Sequence, residues 1–203
     1  FHRAALAAMA DTMVTFGAAF FDDVRARTNN GEVVDFHRMM VEVTLDIVVA
    51  TLFGSELIES AQVNPETLAT ALELITHRAN GIPVPDWLPT RGNRRAKATM
   101  LELDTAVFRV IAAARAQKEP APTLLTMLLN TVDEETGEKL TDRELRNEVL
   151  TLFLAGHETT ALTLAWLFVV LSEHGDVVER MKAEVRQVLG DRDPGFADVP
   201  KLK

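Results

Sequence analysis

Apolar residues recur along this chain at helical spacing, in runs parted by short polar, glycine- or proline-bearing joints. From Arg3 to about Arg27 the run is Leu6, Met9, Ala10, Met13, Val14, Phe16, Phe20 and Phe21. Asn29-Asn30-Gly31 ends it as a turn signal. Asp35 can cap a second helix to about Phe53, rich in Val and Met and stopped by Gly54. His37, near its start, reads as a solvated or core-edge histidine and not as a ligand. Asn64-Pro65-Glu66 supplies a cap, a first-turn proline and an acid for a third helix to about Asn80. Prolines at 83, 85 and 89 forbid a helix over 81–93, where Trp87 and Leu88 need cover or a ligand. A fourth helix spans about Arg94 to Gln117. Its buried stripe is Met100, Leu103, Val107, Phe108, Val110 and Ile111, and Arg94, Arg95 and Lys97 form a solvated face. Thr123 caps a short helix, Leu124 to Asn130, and the polar turn 133–139 could close a small hairpin. A last helix from Asp176 to Leu189 is closed by Gly190 and followed by a loop to Lys203. The pattern predicts an all-α chain of roughly seven helices, one partial domain over 1–203.

The longest element lies between the short helix and the last one. Thr141-Asp142-Arg143-Glu144 reads as a capping box and Gly175 as a C-terminal stop, bounding a helix over 142–174. That is about 33 residues, or roughly 50 Å. Its apolar text is interrupted by Ala155-Gly156-His157-Glu158-Thr159-Thr160. Gly156 costs a helix interior about 1 kcal/mol relative to Ala. The hydroxyls of Thr159 and Thr160 compete for backbone bonds. Glu158 is a carboxylate among Leu, Phe, Val and Trp. Leu152, Ala155, Gly156, Thr159 and Thr163 share a face by spacing, and Gly156 leaves room for something flat to approach the backbone. Sequences break local rules in this way chiefly at functional sites.

Three plainer readings compete. A membrane span would place Glu158 at the bilayer centre, at a cost of about 2.5–3.5 kcal/mol, and no Lys/Arg asymmetry brackets the segment. A zinc protease would need a His where Ala161 stands, after His157-Glu158. A plain core helix explains the leucines but not Gly156, Glu158 and Thr159 together.

Composition narrows the class. The 203 residues are 47% apolar and 25% charged, which is globular, and the formal charge of -9 argues against nucleic acid as a partner. No signal peptide is visible and no span is expected, so the default is a soluble cytoplasmic protein. The chain has no Cys, hence no disulfide and no thiolate ligand of its own. It opens on Phe1 and not on Met, which suggests a fragment.

Ala155-Gly156-His157-Glu158-Thr159-Thr160 resembles the [A/G]-G-x-[D/E]-T-[T/S] motif of the central helix of cytochromes P450, the haem-thiolate monooxygenases of soluble bacterial type included. The capped start, Leu152-Phe153-Leu154 before the motif and Leu171-Ser172-Glu173-His174 after it agree with that family. The resemblance covers the whole chain, but only its middle third carries specific motifs. The loop 81–93 is similar to the family's substrate-access lid. Asp198 to Lys203 resembles the segment before the family's Glu-x-x-Arg helix; neither that helix nor the cysteine loop occurs here, so the resemblance is to an internal piece.

The resemblance implies a haem cofactor, O₂ and a small hydrophobic substrate, with electrons from a reductase domain or from a ferredoxin or flavodoxin. It implies that Ala155, Gly156 and Thr160 lie against the cofactor. Thr159 would hold dioxygen or a water beside it, and Glu158 would link that water to solvent. Thr151 and Leu154 would face the substrate. His157 should point away from the haem, and no metal ligand is assigned within the chain. Without the cysteine the piece alone should be inactive. The alternative is a non-catalytic helical binding or interaction module that keeps the motif.

Overall fold

The computed structural model describes residues 3–54, 85, 87–118, 121–132 and 135–202, with the side chains of residues 4, 5 and 154 outside the description. Among the described residues the elements are α1 (Arg3–Asn29), α2 (Phe36–Leu52), α3 (Arg91–Ala116), α4 (Leu124–Asn130), α5 (Asp142–Glu173), α6 (Gly175–Leu189) and a 3-10 turn (Phe196–Lys201). No strand is formed among them; the expected hairpin reduces to one antiparallel bridge between Val132 and Lys139. The expected all-α class holds. The expected helix from Pro65 to Asn80, and residues 81–84 and 86 of the lid-like loop, lie outside the described residues.

Local chemistry sets the ends. The Arg38 N–H donates to Asp35 Oδ1 at 3.0 Å, capping α2. Gly54 follows α2 at φ +79°, and a Cβ there would meet Thr123 Cγ2 at 3.1 Å, so backbone and space both require glycine. The chain enters α3 three residues before the expected Arg94. Thr90 Oγ1 accepts the Asn93 N–H at 3.1 Å and serves as N-cap. Asn93 is buried, and its amide donates to the carbonyls of Pro85 and Leu88, both at 2.8 Å. Thr123 and Thr126 form a reciprocal capping box on α4. On α5 the Thr141 N–H donates to Glu144 Oε2 at 2.8 Å while the Glu144 N–H donates to Thr141 Oγ1 at 3.3 Å. The Thr141 N–H, together with the Thr141 hydroxyl donating to the same Oε2 at 2.7 Å, holds the Glu144 carboxyl below its ordinary range.

Two expectations about ends are corrected. Gly175 does not stop α5: it is the first residue of α6. The turn is made by His174 (φ -123°, ψ 69°), whose carbonyl accepts the N–H groups of Val177 and Val178. The tail after Gly190 is not a plain loop but is wound around Asp198, whose side chain is only 4% exposed. Arg192 donates to both Asp198 oxygens at 2.6 Å, Lys201 at 3.0 Å and the Gly195 N–H at 3.0 Å. Arg192 first, then Lys201, holds that carboxyl far below the usual carboxylate range.

The contacts divide the chain into two compact units, Phe1–Thr51 with Ala155–Lys203, and Leu52–Leu154. In the second, Phe53, Leu103, Ile111, Leu125, Leu145 and Phe153 are fully buried. Arg146 pairs with Asp104, and Arg115 with Asp142 at 2.8 Å, tying α3 to the start of α5. Of the expected α3 stripe, Leu103, Val107, Val110 and Ile111 are buried, whereas Phe108 is exposed and Met100 half-buried. In the first unit Phe20, Phe21, Phe36 and Phe168 pack edge-on or tilted with ring centroids 5.0–6.1 Å apart. His37 is exposed, as expected. So is Trp87, at 79%. Among the described residues α5 is long and apolar enough to cross a membrane by length and composition, with Glu158 in its middle.

Candidate functional site

The candidate site is the motif segment of α5, and its backing is α2. Among the described residues of α5, Leu145, Val149, Phe153, His157, Ala161 and Ala165 form a buried ridge at spacing four, with Leu150 buried beside it. His157 is the polar member of that ridge. Its imidazole N–H donates to the Val41 carbonyl of α2, and Thr44 Oγ1 lies 3.4 Å from the His157 carbonyl. The Thr44 hydroxyl donates best to Met40, at 2.8 Å. Burial pushes the His157 imidazole below its ordinary value, against the opposing pulls of the Glu158 charge and the Val41 carbonyl.

A Cβ on Gly156 would lie 3.4 Å from Val48 Cγ2 of α2. That is the near edge of ordinary van der Waals contact, so the Cβ direction of Gly156 faces α2, a neighbour that the sequence does not reveal.

The side of α5 away from His157 carries Ala155 and Thr159 of the motif. Thr159 is two residues from His157, about 200° round the helix. Ala155, Glu158, Thr159, Thr160 and Thr163 are all exposed. Thr159 Oγ1 donates to the Ala155 carbonyl at 2.5 Å, and Thr163 Oγ1 to the Thr159 carbonyl at 2.7 Å. Thr159, Thr160, Thr163 and Leu164 line an open depression of about 210 Å³. Thr151 is exposed on the same helix, with its hydroxyl on the Asn147 carbonyl at 2.8 Å. Leu154 is helical, and its side chain lies outside the described residues.

The structure thus exposes Ala155 and Thr159 one turn apart on one face, with Glu158 and Thr160 flanking them on either side, and turns His157 away. Val41, Thr44 and Val48 of α2 went unforeseen as partners of the motif. Thr44, a hydroxyl in a Val- and Met-rich helix, was the available signal, but its partner lies 113 residues along the chain.

A sequence model of the family described as Cytochrome P450 matches residues 1–203. The chain is 31% identical over 202 residues to cyclooctat-9-en-7-ol 5-monooxygenase of Streptomyces melanosporofaciens, covering 94% of this chain and 43% of that protein. It is 31% identical over 182 residues to bifunctional cytochrome P450/NADPH–P450 reductase 1 of Bacillus subtilis, covering 87% of this chain and 17% of that protein. The solved haem domain of cytochrome P450DA superposes with a TM-score of 0.80 at 28% identity, over 98% of this chain and 43% of that one. A cytochrome P450 described as CYP102L1 shares the fold, with a TM-score of 0.83 at 22% identity over 100% of this chain and 47% of that one. The chain spans less than half the length of each of these proteins. With every residue covered by the family match and the motif helix laid out as described, this chain belongs to the cytochrome P450 family.

Proposed function

We propose that these 203 residues are one partial domain of a haem-thiolate monooxygenase and supply its proton-delivering face. The observation that carries the reading is Thr159. Its hydroxyl proton is engaged by the Ala155 carbonyl, so its oxygen lone pairs are left to accept from a donor in the depression it lines. Release of the Ala155 carbonyl would let the same hydroxyl donate instead. Glu158, exposed on the next residue, can exchange protons with solvent.

The residues present fit one face of a flat cofactor. Ala155 and Thr160 are small and exposed beside Thr159, and Gly156 takes part through its backbone, since its Cβ direction belongs to Val48. The axial thiolate is not among these residues, which contain no Cys. Haem, when bound, supplies oxygen reduction and insertion into a C–H bond. The chain's own residues hold a water at Thr159 Oγ1, pass protons to it from Glu158, and present Thr151 and Leu154 to a small hydrophobic substrate.

Electrons from a reductase domain or a ferredoxin- or flavodoxin-type protein belong to the same proposal. It is supported by the printed name of the Bacillus relative, which joins a P450 to a reductase. We read α5 as an internal helix and the protein as cytoplasmic, because Glu158 sits in the middle of its apolar stretch.

The test uses the full-length parent. Thr159→Ala should leave haem and substrate binding near parental values while product formed per reductant consumed falls, by up to roughly 10²-fold, with peroxide released instead. Glu158→Gln should slow turnover. Parental ratios in both variants would make the relay untenable.

A further inference from the structure

We propose that His157 is a positioning residue: it sets the rotation of α5 about its own axis and so the aim of Thr159 and Glu158. This rests on the proton-delivery reading for its consequence, but not for its geometry. Where α5 meets α2 at Gly156 it presents no side chain to Val48, and farther along the same buried ridge stand only Ala161 and Ala165. Such surfaces permit close approach but offer little shape to resist rolling or sliding. A directional bond supplies what shape does not. The buried imidazole donates to the Val41 carbonyl, and Thr44 Oγ1 stands over the His157 carbonyl itself. Both contacts fall at the residue whose side chain points about 200° from Thr159. The depression is lined by α5's own residues, so rolling α5 by even a fraction of the angle between neighbouring residues would turn Thr159 Oγ1 and the depression together away from a ligand held by the rest of the protein. A side chain buried on the far face is therefore part of what holds the hydroxyl in place.

The experiment uses the full-length parent in three kinds of variant. His157→Phe fills the ring volume without a donor, with His157→Leu as the substitute should the first not fold. His157→Asn and His157→Gln keep an amide donor. The first readout is amide hydrogen exchange over residues 155–163 of the resting protein, which does not depend on turnover. The second is product formed per reductant consumed. In the donorless variant exchange should rise roughly two- to tenfold, the range for one lost intramolecular hydrogen bond. The product ratio should fall several-fold. At least one amide variant should recover most of both. Parental exchange and ratio in the donorless variant would overturn the proposal. So would a loss that neither amide reverses, since restoring a donor would then not restore the aim of α5. Thr159→Ala measured alongside separates the two ideas: if it keeps the parental ratio the proton-delivery reading fails, while the exchange data still decide the anchoring role.

Discussion

His157 and Thr159, two residues apart, do opposite jobs, one buried against α2 and one exposed beside a depression. The burial of His157 carries a pH consequence. Its imidazole lies below its ordinary 6.5 in the fold. Between that value and the lower folded one, unfolded chains hold a proton that folded chains do not. The stability from neutral His157 is therefore fully present above about pH 6.5 and is lost as pH falls through the folded value. In the full-length parent, the urea midpoint should drop more between pH 7.5 and 5.5 than it does in His157→Phe. Equal drops would remove this residue from the acid response. The exposure of Thr159 and Glu158 was legible from the sequence because the motif is local and breaks helix rules at consecutive positions. The neighbour of Gly156 was not legible: spacing left room for a ligand, and the structure puts Val48 on its Cβ side. Nothing within a few residues of Gly156 names that neighbour.

Helix ends were legible only in part. The limits of α4 were legible to the residue, since Thr123 and Thr126 satisfy each other within one turn. Thr123→Ala should remove that cap and cost about 1 kcal/mol. Amide exchange within 124–130 of the full-length parent should then run roughly fivefold faster, with Thr123→Ser near parental. Unchanged exchange in the alanine variant would mean that packing alone holds the helix. Elsewhere the sequence misled, although the groups concerned lie within eight residues of one another. Asn93 draws the start of α3 forward by reaching the carbonyls of Pro85 and Leu88. Gly175 looked like a stop, but His174 makes the turn. Asp198 organises a tail that reads as loop because its four donors come from Arg192, Gly195 and Lys201, no one of which is a helix signal.

The 203 residues span 43–47% of the solved relatives described above. Exposed apolar residues on α5, among them Leu162, Trp166, Leu167, Val169 and Val170, are those of a helix with cover still to come. Expressed by itself, the chain should bind a hydrophobic dye and associate. A sharp cooperative melt without dye binding would contradict this. Titrated with haemin, reduced and exposed to carbon monoxide, it should give no thiolate-type Soret band, because it has no Cys to provide the ligand. Such a band would refute the assignment of the axial ligand to residues beyond these.

The buried Asn93 amide has a bearing on recombination between family members. It reads two backbone carbonyls, at Pro85 and Leu88, and no side chain, so any donor loop of matching length and path can satisfy it. A crossover placed after Asn93 transfers the loop end and its staple together. A crossover between Leu88 and Asn93 separates them, and a parent without an amide at that position would leave two carbonyls unmatched. Chimeras built on the first junction should retain a capped α3, whereas those built on the second should fray at its first turn.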